Sequence, residues 1–119
     1  MRVTDETRLA LERQRTVEIT TTGRRSGQPR RIETWRYRAA GRYWLTGSPG
    51  ARDWYANLLV HPEFTLHLGD RDLRVRGRPV TDPAERARVL GEIVPGLDWA
   101  AGGLDSWLAG SPLVEIELG

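Results

Sequence analysis

The sequence predicts a mainly β domain with inserted helices, closing wholly or partly into a small antiparallel barrel. Six runs carry the two-residue alternation of strands. Most are joined by short turns suited to a meander, and two helix-type segments interrupt the series. A chain of 119 residues is long enough for one core and too short for two. Residues 1–119 are therefore expected to form a single domain, with 1–14 an N-terminal helix and 16–118 the barrel.

Thr4 to Gln14 carries Leu9 and Leu11, with acids early (Asp5, Glu6) and arginines later, a charge order that suits a helix dipole. Thr16 to Thr22 alternates Val17, Ile19 and Thr21 against Thr16, Glu18 and Thr20, as a half-buried strand does. Arg31 to Arg38 alternates again, placing Glu33, Trp35 and Tyr37 on one face and Ile32, Thr34, Arg36 and Arg38 on the other. Ala39 to Arg42 turns the chain into a third strand, Tyr43 to Thr46. The period then lengthens: Trp54, Tyr55, Leu58 and Leu59 stand at helical spacing, and His61-Pro62 ends that helix. Phe64 to Leu68 alternates once more, Gly69-Asp70 reverses the chain, and Arg71 to Val80 returns as a strand. Asp82 suits an N-cap, with Pro83 in the first turn and Glu85 three residues on, so a helix is predicted to about Val94. Pro95 to Ser111 is glycine-rich and is expected to be irregular, with one turn around Asp105 to Leu108. Pro112 to Leu118 is the last strand.

Apolar residues make up 39% and charged residues 29% of the chain, the balance of a soluble protein, and no run approaches the roughly 18 apolar residues of a membrane span. The polar N-terminus has no apolar signal-peptide stretch, so a cytoplasmic location is expected. The absence of cysteine excludes disulfides, thiolate nucleophiles and thiolate metal sites. Any electron transfer must therefore use a cofactor. The two histidines, His61 and His67, match no metal-ligand spacing, and no metal is expected. The net charge is only +2, yet residues 24–42 hold seven arginines against Glu33, whereas residues 89–119 hold five acids and no base.

That positive stretch begins in TTTGRRSGQPR, Thr20 to Arg30, directly after a strand. Gly23 and Gly27 allow a tight reversal through positive φ, while Arg24, Arg25, Arg30 and Arg31 supply rigid donor forks matched to phosphate oxygens. Backbone N–H groups in such a loop add to an anion cradle. An ordinary solvated hairpin loop has the same composition, and the concentration of arginines is what favours anion binding.

The same loop followed by a strand, then GRYWLTGS, then DWYANLLVHPEF, resembles the deazaflavin (coenzyme F-420)-dependent nitroreductase and quinone reductase family, over roughly Val17 to Val89. The resemblance implies an FMN-binding-type split β-barrel and hydride transfer from a reduced deazaflavin to a nitro compound, quinone or activated alkene. It implies that Arg24, Arg25, Ser26, Gly27 and Arg30 hold the cofactor's phosphate tail, that Ser48 to Gly50 lie near the phosphate or ring, and that Trp54, Tyr55 and Asn57 form the family's WYxNL helix. On the residues alone, Trp54 and Leu58 pack the barrel and Asn57 satisfies buried backbone groups. Coenzyme F-420 is the expected cofactor, ahead of FMN or haem. The chain departs from the family pattern at Glu33-Thr34, where a Pro-Leu pair is usual, in a shorter segment between Ser48 and Trp54, and in having Trp99 and Trp107 where the nitroreductases carry tyrosines.

A reductase of this kind must hold the hydride-bearing carbon about 3–3.5 Å from its acceptor. The candidate proton donors are Tyr37 and Tyr55, each of which also reads as a core tyrosine with a bonded hydroxyl. Glu33 is a third candidate: turned into the barrel it would be desolvated and suited to acid–base work, whereas paired with Arg31 or a loop arginine it would be structural. The alternative function is a barrel whose arginines clamp a fatty acid, haem or other hydrophobic anion. Nucleic-acid binding is disfavoured because the aromatics are not interleaved with the basic residues. The expected partner is a small molecule, with no membrane anchor, and the resemblance allows a homodimer.

Overall fold

The alternating runs become six antiparallel strands: β1 (Thr16–Thr22), β2 (Pro29–Ala39), β3 (Arg42–Thr46), β4 (Glu63–Leu68), β5 (Arg71–Pro79) and β6 (Leu113–Glu117). They are seen in a computed structural model that describes residues 15–97 and 103–118. The helix expected over Thr4 to Gln14 and Trp99 lie outside the described residues. The strands close into a barrel in the order β1-β2-β3-β6-β5-β4. β2 and β3 are joined at Ala40-Gly41, both at positive φ (52° and 71°), the twist that a two-residue hairpin needs.

Helix α1 (Asp53–Val60) lies between β3 and β4, and its buried residues are Trp54, Asn57 and Leu58. Trp54 and Leu58 join Val17, Ile19, Leu45, Phe64, Leu66 and Val114 in the barrel core, as the four-residue spacing predicts. Helix α2 (Pro83–Ile93) starts as read: the Asp82 side chain accepts from the Glu85 N–H and Pro83 occupies the first turn. A short 3₁₀ turn, Val94–Gly96, follows it.

The described end of the glycine-rich stretch is helical where one turn was expected. Helix α3 covers Gly103–Gly110, because Trp107 and its neighbours Leu104 and Leu108 make one apolar stripe against α2, Trp44 and Leu113. Arg86 of α2 then donates to the carbonyls of Trp107, Leu108, Ser111 and Val80 at 2.8–3.2 Å. Two of these bonds reach the last turn of α3, at Leu108 O and at Trp107 O, which also accepts from Ser111 N–H (3.0 Å).

In β2 Glu33 shares a face with Trp35 and Ile32 with Thr34, as the alternation predicts, and strand pairing decides which face points inward. Opposed residues of an antiparallel pair share a face, and β1 sets Val17 against Thr34 and Ile19 against Ile32. Thr34 is therefore buried, while Glu33 and Trp35 are exposed on the outer wall.

Candidate functional site

The arginine loop between β1 and β2 is held by its own backbone. Gly23 N–H donates to Gln28 O (2.8 Å), Gly27 N–H to Gly23 O (2.9 Å), and Gln28 N–H to Ser26 Oγ (3.1 Å). Only one of the two glycines serves in the way expected. Gly27 has φ +69°, but Gly23 is required by proximity, since a Cβ there would meet Ser26 Oγ at 2.5 Å.

The loop leans on α1 through Asn57 and, more distantly, Asp53. Asn57 Oδ1 accepts from Arg24 N–H (3.1 Å) and Arg24 Nη1 (3.0 Å), and its Nδ2 donates to Thr21 Oγ1 (3.2 Å). Arg24 Nη2 lies 3.4 Å from Asp53 Oδ1 in the first turn of α1. The result is a groove of ≈ 420 Å³ lined by Arg24, Arg25, Ser26, Arg30, Asp53, Trp54 and Asn57, with Thr21, Gly23 and Ile32 beneath. Three guanidiniums against one carboxylate give it a positive field. Asp53 and Ile32 were not singled out from the sequence; Asp53 was legible only as an acid in a helix's first turn.

A second cavity of ≈ 590 Å³ lies along the next residue of α1. Gly50, Ala51, Tyr55, Val80, Pro112 and the end of α3 line it, mainly small or apolar walls interrupted by Thr81, Ser111 and the Arg86 guanidinium. The rings of Trp54 and Tyr55 meet edge to face, 6.1 Å apart and at 86°, so each lines a different cavity. The short loop before α1 is braced by Arg52, whose Nη2 donates to Ser48 O (2.9 Å), and by Gly50 N–H, which donates to Gly110 O (3.1 Å).

Not every residue singled out in the sequence reaches these cavities. Ser48 lies in the braced loop but lines neither, and Gly27 turns the arginine loop without lining the groove. Tyr37 lines neither cavity; it packs against the cluster around Trp44 and Trp107, and burial raises the pKa of its phenol. Glu33, read from the sequence either as an inward acid or as a structural partner of an arginine, is exposed and lines a separate outer groove with Arg15, Glu18 and Arg31. Arg31 turns away from the anion groove to pair with Glu18 at 3.2 Å. His67 is almost buried, within 2.7 Å of both Thr20 Oγ1 and Asp72 Oδ1, tying β1, β4 and β5 together. Among the described residues no group of three His, Asp or Glu side chains is placed to hold a metal.

Residues 3–98 match the sequence model of a family described as F420H(2)-dependent quinone reductase. The chain belongs to that family. Membership makes coenzyme F-420 the cofactor of this quinone reductase family protein and its activity a deazaflavin-dependent reduction. Its fold is similar to a solved F420-H2 dependent reductase (FDR-A), at 24% identity and a TM-score of 0.65, covering 87% of this chain and 95% of that one. It is also similar to a chain described as a domain-swapped dimer (24%, TM-score 0.63, 87% and 81% covered). A third likeness is to the haem storage protein HutZ from Vibrio cholerae (17%, TM-score 0.69, 100% and 92% covered). At these identities the solved structures establish the fold, the split β-barrel that the resemblance implied.

Proposed function

We propose that this protein transfers a hydride from reduced coenzyme F-420 to a quinone, a nitro compound or an activated alkene. In this reading Arg25, Ser26 and Arg30 hold the cofactor's phosphate tail, with Arg24 and Gly27 shaping the loop. Trp54, which lines the groove, and Gly50, which lines the neighbouring depression, would hold the ring, with Ser48 in the loop that precedes α1. The observation that carries it is the convergence of Arg24, Arg25 and Arg30 on a groove also lined by Trp54, whose neighbour Tyr55 lines a second, mainly apolar depression. The donor set suits a phosphate: planar guanidinium forks match its oxygens, and the close approach at Gly23 tightens the loop around a small anion.

When bound, the reduced cofactor supplies the hydride; the protein's part is to orient, to exclude water and to supply a proton. The Trp54–Tyr55 pair is a stiff wall, which favours a fixed spacing between ring and acceptor. Of the three candidate donors we assign the proton to Tyr55, because it lines the second cavity whereas Tyr37 and Glu33 line neither. The small side chains around that cavity, Gly50, Ala51, Ala109 and Gly110, suit a broad planar acceptor such as a quinone.

Residues 1–119 act as one unit in this reading. A homodimer is supported by the domain-swapped dimer among proteins of this fold. No helix among the described residues is long and apolar enough to cross a membrane. The cytoplasm is the location that this reading assigns to a deazaflavin-dependent reductase.

Parallel titration with coenzyme F-420, FMN and haem, read by fluorescence or absorbance, tests the proposal. It expects saturable binding of the deazaflavin, about tenfold or more weaker in Arg30→Ala through loss of a charge-assisted bond, followed by quinone turnover. Binding of haem or a fatty acid in place of coenzyme F-420 would make the protein a carrier of hydrophobic anions.

A further inference from the structure

The three arginines of the groove are not equivalent. Arg24 is already engaged on two sides by α1: its Nη1 and its N–H both donate to Asn57 Oδ1, and its Nη2 faces Asp53. Asn57 is only 3% exposed, and its Nδ2 holds Thr21 Oγ1, itself buried, at the end of β1. One amide thus ties the strand, the loop and the helix together. The loop's other bonds use the N–H groups of Gly23, Gly27 and Gln28. The N–H groups of Arg25 and Ser26 take no part in them, and the Arg25 and Arg30 side chains are exposed beside the same groove.

We infer that Asn57 is the positioning residue of this loop, acting through Arg24. The ligand's phosphate is then met by the Arg25 and Arg30 guanidiniums and the Arg25 and Ser26 amides, while Arg24 serves as a strut. The inference rests on the groove being the site of the cofactor's tail. Its physical basis is preorganisation: a loop fixed before binding loses less conformational freedom on meeting an anion. Cutting the strut therefore weakens binding without removing any group that touches the ligand.

The test is a double-mutant cycle on binding. The intact protein, Asn57→Ala, Arg24→Ala and the double variant are titrated with coenzyme F-420 and with the same deazaflavin ring lacking its phosphate tail. Each single variant is expected to weaken coenzyme F-420 binding about tenfold, leaving affinity for the tail-less ring within about twofold, because only the tail meets the loop. The double variant is expected to be no weaker than the worse single one, since both changes cut the same strut. Arg25→Ala and Arg30→Ala should lose tail affinity with no change in melting temperature.

Asn57→Asp keeps an acceptor for Arg24 and accepts a hydrogen bond from the Thr21 hydroxyl in place of the one the amide donates to it, so it is expected to fold and to bind more tightly than Asn57→Ala. Additive losses in the cycle, or an Asp variant as weak as the Ala variant, would mean that Asn57 and Arg24 each touch the ligand directly, and would overturn the inference. Equal affinity of the intact protein for coenzyme F-420 and the tail-less ring is a separate outcome: it removes the tail from the groove, and the inference falls with that placement.

Discussion

Gly23 lies so close to Ser26 that a Cβ there would sit 2.5 Å from Ser26 Oγ and 3.2 Å from the carbonyl oxygen of Gln28, so a side chain at position 23 must push the Ser26 hydroxyl off its bond to the Gln28 N–H. The contact is inside the loop that carries the arginines. Gly23→Ala is therefore expected to displace Ser26 and open the loop, costing about 1–2 kcal/mol of stability by overpacking and weakening coenzyme F-420 binding several-fold. Urea unfolding and a cofactor titration on the same variant measure both effects.

A second glycine is held by the barrel interior. A Cβ on Gly77 would meet Val114 Cγ1 at 2.9 Å, Phe64 Cε1 at 3.3 Å and Leu58 Cδ1 at 3.4 Å. All three neighbours are fully buried, so none can move into solvent. Gly77→Ala is expected to lose about 1–3 kcal/mol in chemical denaturation. An unchanged midpoint would show that the core is looser at this point than these distances imply.

The Tyr37 hydroxyl is buried with no hydrogen-bond partner among the described residues. Tyr37→Phe removes an unsatisfied polar atom at nearly constant shape, so it is expected to be neutral or to stabilise by about 1 kcal/mol. Burial also raises the phenol's pKa above its ordinary 10.0. The unfolded chain then loses the proton first, binds fewer protons than the native state, and gains stability as pH rises. The intact protein should thus lose stability between pH 10 and the folded pKa, and Tyr37→Phe should lose that part of the alkaline limb. Retention of turnover in Tyr37→Phe, with loss of it in Tyr55→Phe, would place the proton donor on α1.

α2 is bolted to the barrel by an ion-pair network. Arg78 Nη2 lies 2.6 Å from Glu85 Oε2 and 2.8 Å from Glu115 Oε1, and Arg42 reaches Glu115 from the other side at 3.3 Å. The hydrogen bond from Arg78 holds the Glu85 carboxyl below its ordinary pKa of 4.5, against the opposing effect of burial. A depressed carboxylate contributes stability above the unfolded pKa and loses it as pH falls through the folded one. Thermal melts from pH 7 to pH 3 should therefore show an acid-side decline below about pH 4.5 that is smaller in Glu85→Gln, which starts from a lower stability at pH 7.

Much of the barrel was legible because its signals are local. The alternation in β1, β4 and β5 survived into the structure, as did the Asp82 cap of α2 and the spacing of Trp54 and Leu58 in α1. Helix α3 was not: glycines 102, 103 and 110 weaken its helix signal, and the stripe of Leu104, Trp107 and Leu108 acquires meaning only from α2 and the Arg86 bonds to its last carbonyls.

The chain by itself determined that an arginine-bearing, glycine-turned loop follows a strand and precedes a WYxNL helix, which was enough to place the family and the cofactor. Residue type and short-range spacing carry that information. Only the tertiary structure decided which way β2 faces, since both of its faces mix polar and apolar side chains, and pairing with Val17 and Ile19 turned Glu33 outward. It alone also divided the arginines. Arg24 and Asn57 are 33 positions apart in sequence, and only barrel closure brings that amide within 3.0–3.1 Å of the loop. Position in sequence fixes what a side chain can donate, but long-range packing fixes whether that donor is already engaged.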